Sequence, residues 1–390
     1  MERSALPRFL ALYAALYAAF GVGSPFLPVL LGAHGLSPEE IAVVLSAIIA
    51  VRLLTGPAAG RMADWRGARR GVLGFCAAGA GLLALAYLPA SGLRPLLVVG
   101  VLHSALLAPA APLADSLALA SAVPSRAGGA GFDYGWVRGA GAGAFIFGSL
   151  VAGHAIERFG IDVVVWLHAP LLAATSLATS QVPQLHRPLA MRRGKGGLAT
   201  LVRPGLFRRV VLVAALIQGS HALHDSFAVV RWGAAGIGPA AAAELWSEAV
   251  AAEVVVFFLL GRPLLDRLGP AGALALAASA GVLRWAVMAE TAWLPAVALV
   301  QPLHGLTFAL GHLACMRLLA LIVPPGLAAT ALTIYGTLGV GVATALLTLA
   351  SGPLYSRLGP AGFWVMAALC ASALPLTRCL RQSSPGPLPC

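Results

Sequence analysis

The sequence predicts an all-α membrane protein of twelve transmembrane helices in two halves of six. Three observations predict it. Long apolar runs fill nearly the whole chain. Hydrophobic residues make up 59% and charged residues only 10%, with a mean hydropathy of +0.88. A charged loop after the second run recurs after the eighth. A helix needs about 20 apolar residues to cross the hydrocarbon core. In lipid only helices and closed barrels satisfy every peptide group. Barrel strands alternate over about 10 residues, and these uniform runs do not. A soluble domain would carry about 25% charged residues.

The first half, residues 1–180, is expected to hold spans at 9–32, 40–60, 71–90, 95–121, 134–155 and 161–180. The run from Phe9 follows Arg3 and Arg8. It is longer than the core of a cleavable signal, so it is read as an uncleaved first span. A basic cytoplasmic linker, 181–207, carries Arg187, Arg192, Arg193, Lys195 and Arg203. The second half, residues 208–390, is expected to hold spans at 208–230, 240–261, 270–289, 292–322, 327–350 and 358–378. With the N-terminus inside, the termini, inner loops and inner span ends hold 18 of the 26 basic residues, and the outer loops hold four: Arg94, Arg158, Arg231 and Arg357. That bias predicts both termini and the linker to be cytoplasmic in a bacterial inner membrane.

The net charge of +12 does not indicate a nucleic-acid partner, because the basic residues sit at helix ends. The five cysteines, Cys76, Cys315, Cys370, Cys379 and Cys390, form no CxxC pair and read as small hydrophobes. No metal and no cofactor is expected. The partners expected are the lipid bilayer, protons and a small molecule, with the protein acting as a monomer.

The repeated loop reads Gly60-Arg61-Met62-Ala63-Asp64-Trp65-Arg66-Gly67, then Gly261-Arg262-Pro263-Leu264-Leu265-Asp266-Arg267-Leu268-Gly269. Its glycines allow a tight turn or close helix approach, and its aspartate can meet a helix N-terminus or an arginine across the loop. The motif resembles the loop of the major facilitator superfamily, whose two halves rock about a central site.

Ionisable groups at mid-depth cost at least about 2.5 kcal/mol each and are functional candidates by default. The first half has Arg52, Asp115 and Arg138, and Asp115 can pair with either arginine. They read as a helix-holding ion pair or as a cationic path for an anion, since the arginine fork suits a carboxylate. In the second half Gln218, His221 and Asp225 share one face of span seven, and Gln301, His304, Phe308 and His312 form a stripe on span ten. Glu253 lies mid-span eight and Arg284-Trp285 mid-span nine. Histidine titrates near neutral pH and a buried glutamate can be raised towards it, so Glu253, His304, Asp225 or His312 could carry a proton.

Several of these stretches are similar to the phenylpropionate permease family of the same superfamily. They are Ala252-Glu253-Val254, Arg284-Trp285, Gln301-Pro302-Leu303-His304-Gly305-Leu306-Thr307-Phe308 and His312-Leu313-Ala314. Gln218-Gly219-Ser220-His221-Ala222, Val51-Arg52-Leu53, Pro112-Leu113-Ala114-Asp115 and Asp133-Tyr134-Gly135-Trp136-Val137-Arg138 extend the likeness over most of the chain. After Arg138 the chain departs from the family pattern with Gly139-Ala140-Gly141-Ala142.

The resemblance implies a major facilitator fold and a proton-coupled symporter of a small aromatic carboxylate, working by alternating access. Arg284 or Arg138 would then hold the carboxylate, Trp285 or Phe308 would stack on the ring, and Glu253 or His304 would carry the proton. The alternatives are a nucleoside or sugar symporter, an exporter of drugs or metabolites, and a non-transporting membrane sensor. No enzymatic role is expected, and the sequence has no G-x-x-x-x-G-K-[ST] nucleotide loop.

Overall fold

The computed structural model describes residues 5–122, 131–183, 205–324 and 327–382. Apart from its ends, the expected linker 181–207 lies outside the described residues. The first half runs α1 (Leu6–Gly23), α2 (Leu27–Ala33), α3 (Pro38–Trp65), α4 (Arg69–Leu85), α5 (Leu93–Leu107), α6 (Ala110–Ala122), α7 (Tyr134–Phe159) and α8 (Val163–Gln181). The second runs α9 (Gly205–Gly219), α10 (Ala222–Ala234), α11 (Pro239–Val255), α12 (Gly261–Glu290), α13 (Leu294–Val300), α14 (Gly311–Ile322), α15 (Ala328–Ile334), α16 (Ala343–Leu358) and α17 (Gly362–Gln382).

Among the described residues, eight helical stretches are long and apolar enough to cross a membrane. They include Leu6–Gly23, Pro38–Trp65, Leu93–Ala122, Gly205–Ala234 and Leu294–Ile322. The expected third, eighth and ninth spans form α4, α11 and α12, which are helical without being among the eight. Large apolar side chains face outward, with Phe75 and Leu82 each 72% exposed and Leu299 79%. In water that would be a liability; against lipid it costs nothing.

The expected spans are interrupted where the sequence removes a donor or a side chain. Pro25 separates α1 from α2, and Pro109 separates α5 from α6. The seventh expected span breaks between Gly219 and Ala222, and the tenth breaks at Gln301-Pro302 before a π turn, Gly305–Leu310. Wide π turns also occupy Val256–Leu260 and Tyr335–Val342. Such turns often mark functional positions in membrane helices.

The chain divides into two compact units, Met1–Ala190 with Trp232–Ser247, and Met191–Arg231 with Glu248–Cys390. In the first unit α1 and α7 cross closely: a side chain at Gly21 would meet the Phe145 carbonyl, and one at Gly148 the Ala18 carbonyl. Phe9, Leu12, Leu16, Leu113 and Val137 build its apolar core. Ser37 and Glu40 form a reciprocal cap at the start of α3, and Asp133 caps α7 through the Gly135 N–H at 2.7 Å. Residues 232–247 join this unit at α7. Gly153 leaves room for the Pro239 carbonyl and Ala243, and Glu157 accepts the Ala240 N–H at 3.1 Å.

A three-way tie links loops of the first unit. His34 Nδ1 lies 2.8 Å from the Ala90 carbonyl and Nε2 lies 2.9 Å from Asp162 Oδ1. Both partners only accept, so the ring is held with both nitrogens protonated. Burial opposes that charge, but the Asp162 and Ala90 bonds outweigh it, and the pKa of His34 is raised above its ordinary value.

Candidate functional site

The second unit gathers most of the expected residues around one arginine. The kink at Gly269, followed by Pro270, starts the part of α12 that carries Arg284 into the interior at 0% exposure. Its guanidinium donates to Gln301 Oε1 at 2.9 Å, to His304 Nδ1 at 3.1 Å and to His224 Nε2 at 3.3 Å. It also lies 4.6 Å from the Trp285 ring centroid, and its Nε is buried without a hydrogen-bond partner.

Arginine has only donors, so both histidines accept on the near nitrogen and carry their proton on the far one. The far nitrogen of His224 lies 3.0 Å from Asp225 Oδ1. The far nitrogen of His304 lies 3.7 Å from Glu253 Oε2. The arginine is thus surrounded by neutral acceptors, and each histidine turns an N–H towards a carboxylate.

The other expected residues frame this centre. His221 Nε2 is 2.9 Å from Thr307 Oγ1, and the His221 ring stands edge-on to Trp285 and to His304. Trp285 donates its indole N–H to Ser220 at 2.9 Å. Phe308 stacks on His304 with ring centroids 5.4 Å apart. Gln218 donates to the Phe308 carbonyl at 3.3 Å, holding the π turn against α9. His312 is set apart, 3.4 Å from the Tyr335 hydroxyl. Among the described residues no three His, Cys, Asp or Glu side chains converge as metal ligands would.

In the first unit the open choice of partner for Asp115 is resolved. Asp115 sits 3.8 Å from Arg138 Nη1 and accepts hydroxyl bonds from Tyr134 at 2.7 Å and from Tyr13. Arg138 also donates to the Tyr17 hydroxyl. Arg52 lines a separate cavity of about 280 Å³ inside this unit, with His103, His168 and Tyr87. Sequence reasoning passed over those three residues, and also Ser220, Thr307 and the role of His224. The signal existed for the histidines: His103 and His168 lie within apolar spans, as the selected histidines do.

The two loop motifs share the positive φ of their last glycine but differ in their contacts. Gly67 and Gly269 both take positive φ, 60° and 65°. Asp64 accepts from Arg69 Nε across its loop at 2.6 Å. Asp266 instead lies 3.4 Å from Arg317 and 3.7 Å from Arg262. Gly261 is pressed by Leu313 and the Val256 carbonyl, as close approach requires. Gly60, expected to serve a turn or close approach, stands inside α3 with open space at its Cβ position. Arg66 and Arg267 have no ion pair among the described residues.

Comparison with known proteins places this arrangement. Residues 7–366 match the MFS_1 like family. The chain is 32% identical over 377 residues to a protein of Escherichia coli (strain K12) named "Probable 3-phenylpropionic acid transporter", covering 94% of this chain and 96% of that one. It is 28% identical over 356 residues to the maltose permease of Geobacillus stearothermophilus, covering 88% and 86%. Among solved structures, a mutant form of the nucleoside transporter NupG shares the fold with a TM-score of 0.82 at 16% identity, over 97% of this chain and 99% of that one. A bacterial homolog of the human lysosomal transporter Spinster follows with a TM-score of 0.73 at 15% identity, over 100% of both chains.

Proposed function

Because the chain belongs to the MFS_1 like family and is a multi-pass transporter of the major facilitator type rather than an enzyme, we propose that it is a proton-coupled symporter of a small aromatic carboxylate. It works by alternating access of two six-helix halves, with twelve spans, both termini and the linker in the cytoplasm, as a monomer in a bacterial inner membrane. The observation that carries the coupling is the position of His304 between Arg284 and Glu253.

An ionised Glu253 attracts the far N–H of His304, and that orientation keeps the near nitrogen free to accept from Arg284. A proton on Glu253 weakens the attraction and loosens His304 from the arginine. Protonation is thereby tied to the packing of α12 against the broken helix at Gln301-Pro302. Arg284, first expected to grip the substrate, is wholly buried and already hydrogen-bonded to three side chains. Its surroundings favour the proton side of the cycle. Trp285, expected to stack on the substrate ring, is as buried as Arg284 and packs on His221, and Phe308 stacks on His304 instead. Asp225 and His312 remain candidates for relaying the proton.

The substrate class is supported by the 32% identity to the Escherichia coli relative and by the arginines of the first half. A sugar symporter is the second reading. It is favoured by the likeness to the maltose permease and by the paired Asp115–Arg138, which suits a neutral hydroxylated ligand.

The test is Glu253→Gln in proteoliposomes loaded with a pH gradient. Accumulation of 3-phenylpropionate should disappear while counterflow exchange persists, since glutamine keeps the shape but carries no proton. Accumulation with unaltered pH dependence would remove Glu253 from the coupling. Accumulation of maltose but not of the acid would favour the second reading.

A further inference from the structure

We propose that the cavity inside the first unit is a binding site for a monoanion with a single-ring apolar body, its carboxylate held by Arg52 and Tyr87. The inference rests on the symport reading above and locates the substrate's charged end, which the sequence left open among several arginines.

Charge comes first. Arg52 is the one formally charged residue in the cavity wall among the described residues, and no aspartate or glutamate lines it. Nor does Arg52 have an ion pair or hydrogen-bond partner among the described residues. The histidines leave that charge uncompensated. His168 Nδ1 lies 2.8 Å from the Ala19 carbonyl, which only accepts, so the ring proton sits there. His168 Nε2 is then a lone pair, and His103 Nε2, 3.3 Å away, must carry the proton between them. The pair is satisfied as two neutral rings and supplies no counter-charge. Arg52 is itself exposed while lining the cavity, so its guanidinium is open to an anion that enters.

Polar geometry comes second. Tyr87 is 3% exposed, lines the same cavity, and its hydroxyl is buried with no hydrogen-bond partner among the described residues. Buried hydroxyls are nearly always bonded, so an unpartnered phenol in the same wall as Arg52 indicates a missing acceptor. A carboxylate accepts from both: two parallel bonds from the guanidinium and one from the phenol.

Size and wall chemistry come third. Phe20 and Phe145 face the same space, and most of the remaining wall is aliphatic. A volume of about 280 Å³ falls just below the ~300–1,000 Å³ typical of drug-sized ligands. One ring with a short acidic chain fits within it.

The experiment measures binding of 3-phenylpropionate and of its neutral amide, 3-phenylpropanamide, to the purified full chain by calorimetry. Three variants are compared: Arg52→Gln, Tyr87→Phe, and Ala84→Leu, which fills the cavity from α4 without altering charge. The unaltered protein should prefer the acid roughly tenfold to a hundredfold. Arg52→Gln should erase that preference, Tyr87→Phe should reduce it severalfold, and Ala84→Leu should weaken acid and amide alike. Melting curves of each variant report folding, and Ala84→Leu reads the site even if Arg52→Gln unfolds. Acid preference retained in Arg52→Gln, or full acid affinity in Ala84→Leu, overturns this site while leaving transport standing. Failure of the unaltered protein to bind the acid at all overturns the symport reading, and the site with it.

Discussion

Arg52 and Arg284 both lie deep in apolar spans, yet their surroundings are opposite. Arg284 is enclosed by Gln301, His304, His224 and the Trp285 ring, and its exposure is zero. Arg52 faces an apolar cavity with no acidic residue in its wall. The difference teaches that a cation within an apolar span can be settled in two ways. Neutral acceptors can surround it permanently, which makes it part of the packing. Or it can be left facing space, which makes it a place for an anion.

The sharpest way to break this comparison is to make one substitution at both positions. Arg284→Met strands His304, His224 and Gln301 together and should cost on the order of 3 kcal/mol. Arg52→Met removes an uncompensated charge and should leave stability unchanged or raise it. Thermal melting in detergent reads both, and equal losses would sink the distinction between a packed and a waiting arginine.

The loop glycines sharpen the contrast between halves. A side chain at Gly261 would stand 2.5 Å from Leu313 Cδ1 and 2.7 Å from the Val256 carbonyl, so Gly261→Ala should cost about 1–3 kcal/mol. Gly60 has open space within the first unit, and Gly60→Ala should stabilise α3 by up to about 1 kcal/mol. Losses of similar size on melting would mean that the repeated motif makes the same packing demand twice.

A smaller effect is expected at the motif aspartates. Asp64 bonds a nearly buried Arg69 at 2.6 Å, whereas Asp266 reaches a half-exposed Arg317 at 3.4 Å. Asp64→Asn should cost about 1 kcal/mol and Asp266→Asn only a few tenths, because exposed pairs are solvated. Reversal of that order on melting would contradict the geometry.

The smallest effect belongs to His34, and it depends on pH. Its folded pKa is raised, so its bond to Asp162 stabilises fully below the unfolded value of about 6.5. The contribution is lost as pH rises through the folded pKa. His34→Gln should therefore melt earlier than the unaltered chain at acidic pH, with the gap closing under alkaline conditions. A gap that does not change with pH would show the ring acting by packing alone.

Composition and the long apolar runs were enough to read helices and membrane, because lipid forces such runs whatever their neighbours. The paired loop motif was equally legible, since Gly67 and Gly269 need a backbone conformation that few other residues accept. The depth rule brought Arg284, His304, Glu253 and Gln301 forward, because a charge in an apolar span stands out in one dimension. Which partner each charge takes was not legible. Asp115 chose Arg138 over Arg52 through helix rotation and the tyrosines Tyr13 and Tyr134, and neither is encoded in spacing. His103, His168 and Tyr87 went unselected for a related reason. They matter only because helices distant in sequence leave a cavity between them, and empty space has no residue to announce it. The sequence by itself determined the class of solvent, the helices and the inventory of charges, since these follow from local chemistry. Tertiary structure alone decided which arginine is enclosed and which is open, because pairing in a low-dielectric interior depends on contacts of a few ångströms between spans far apart in the chain.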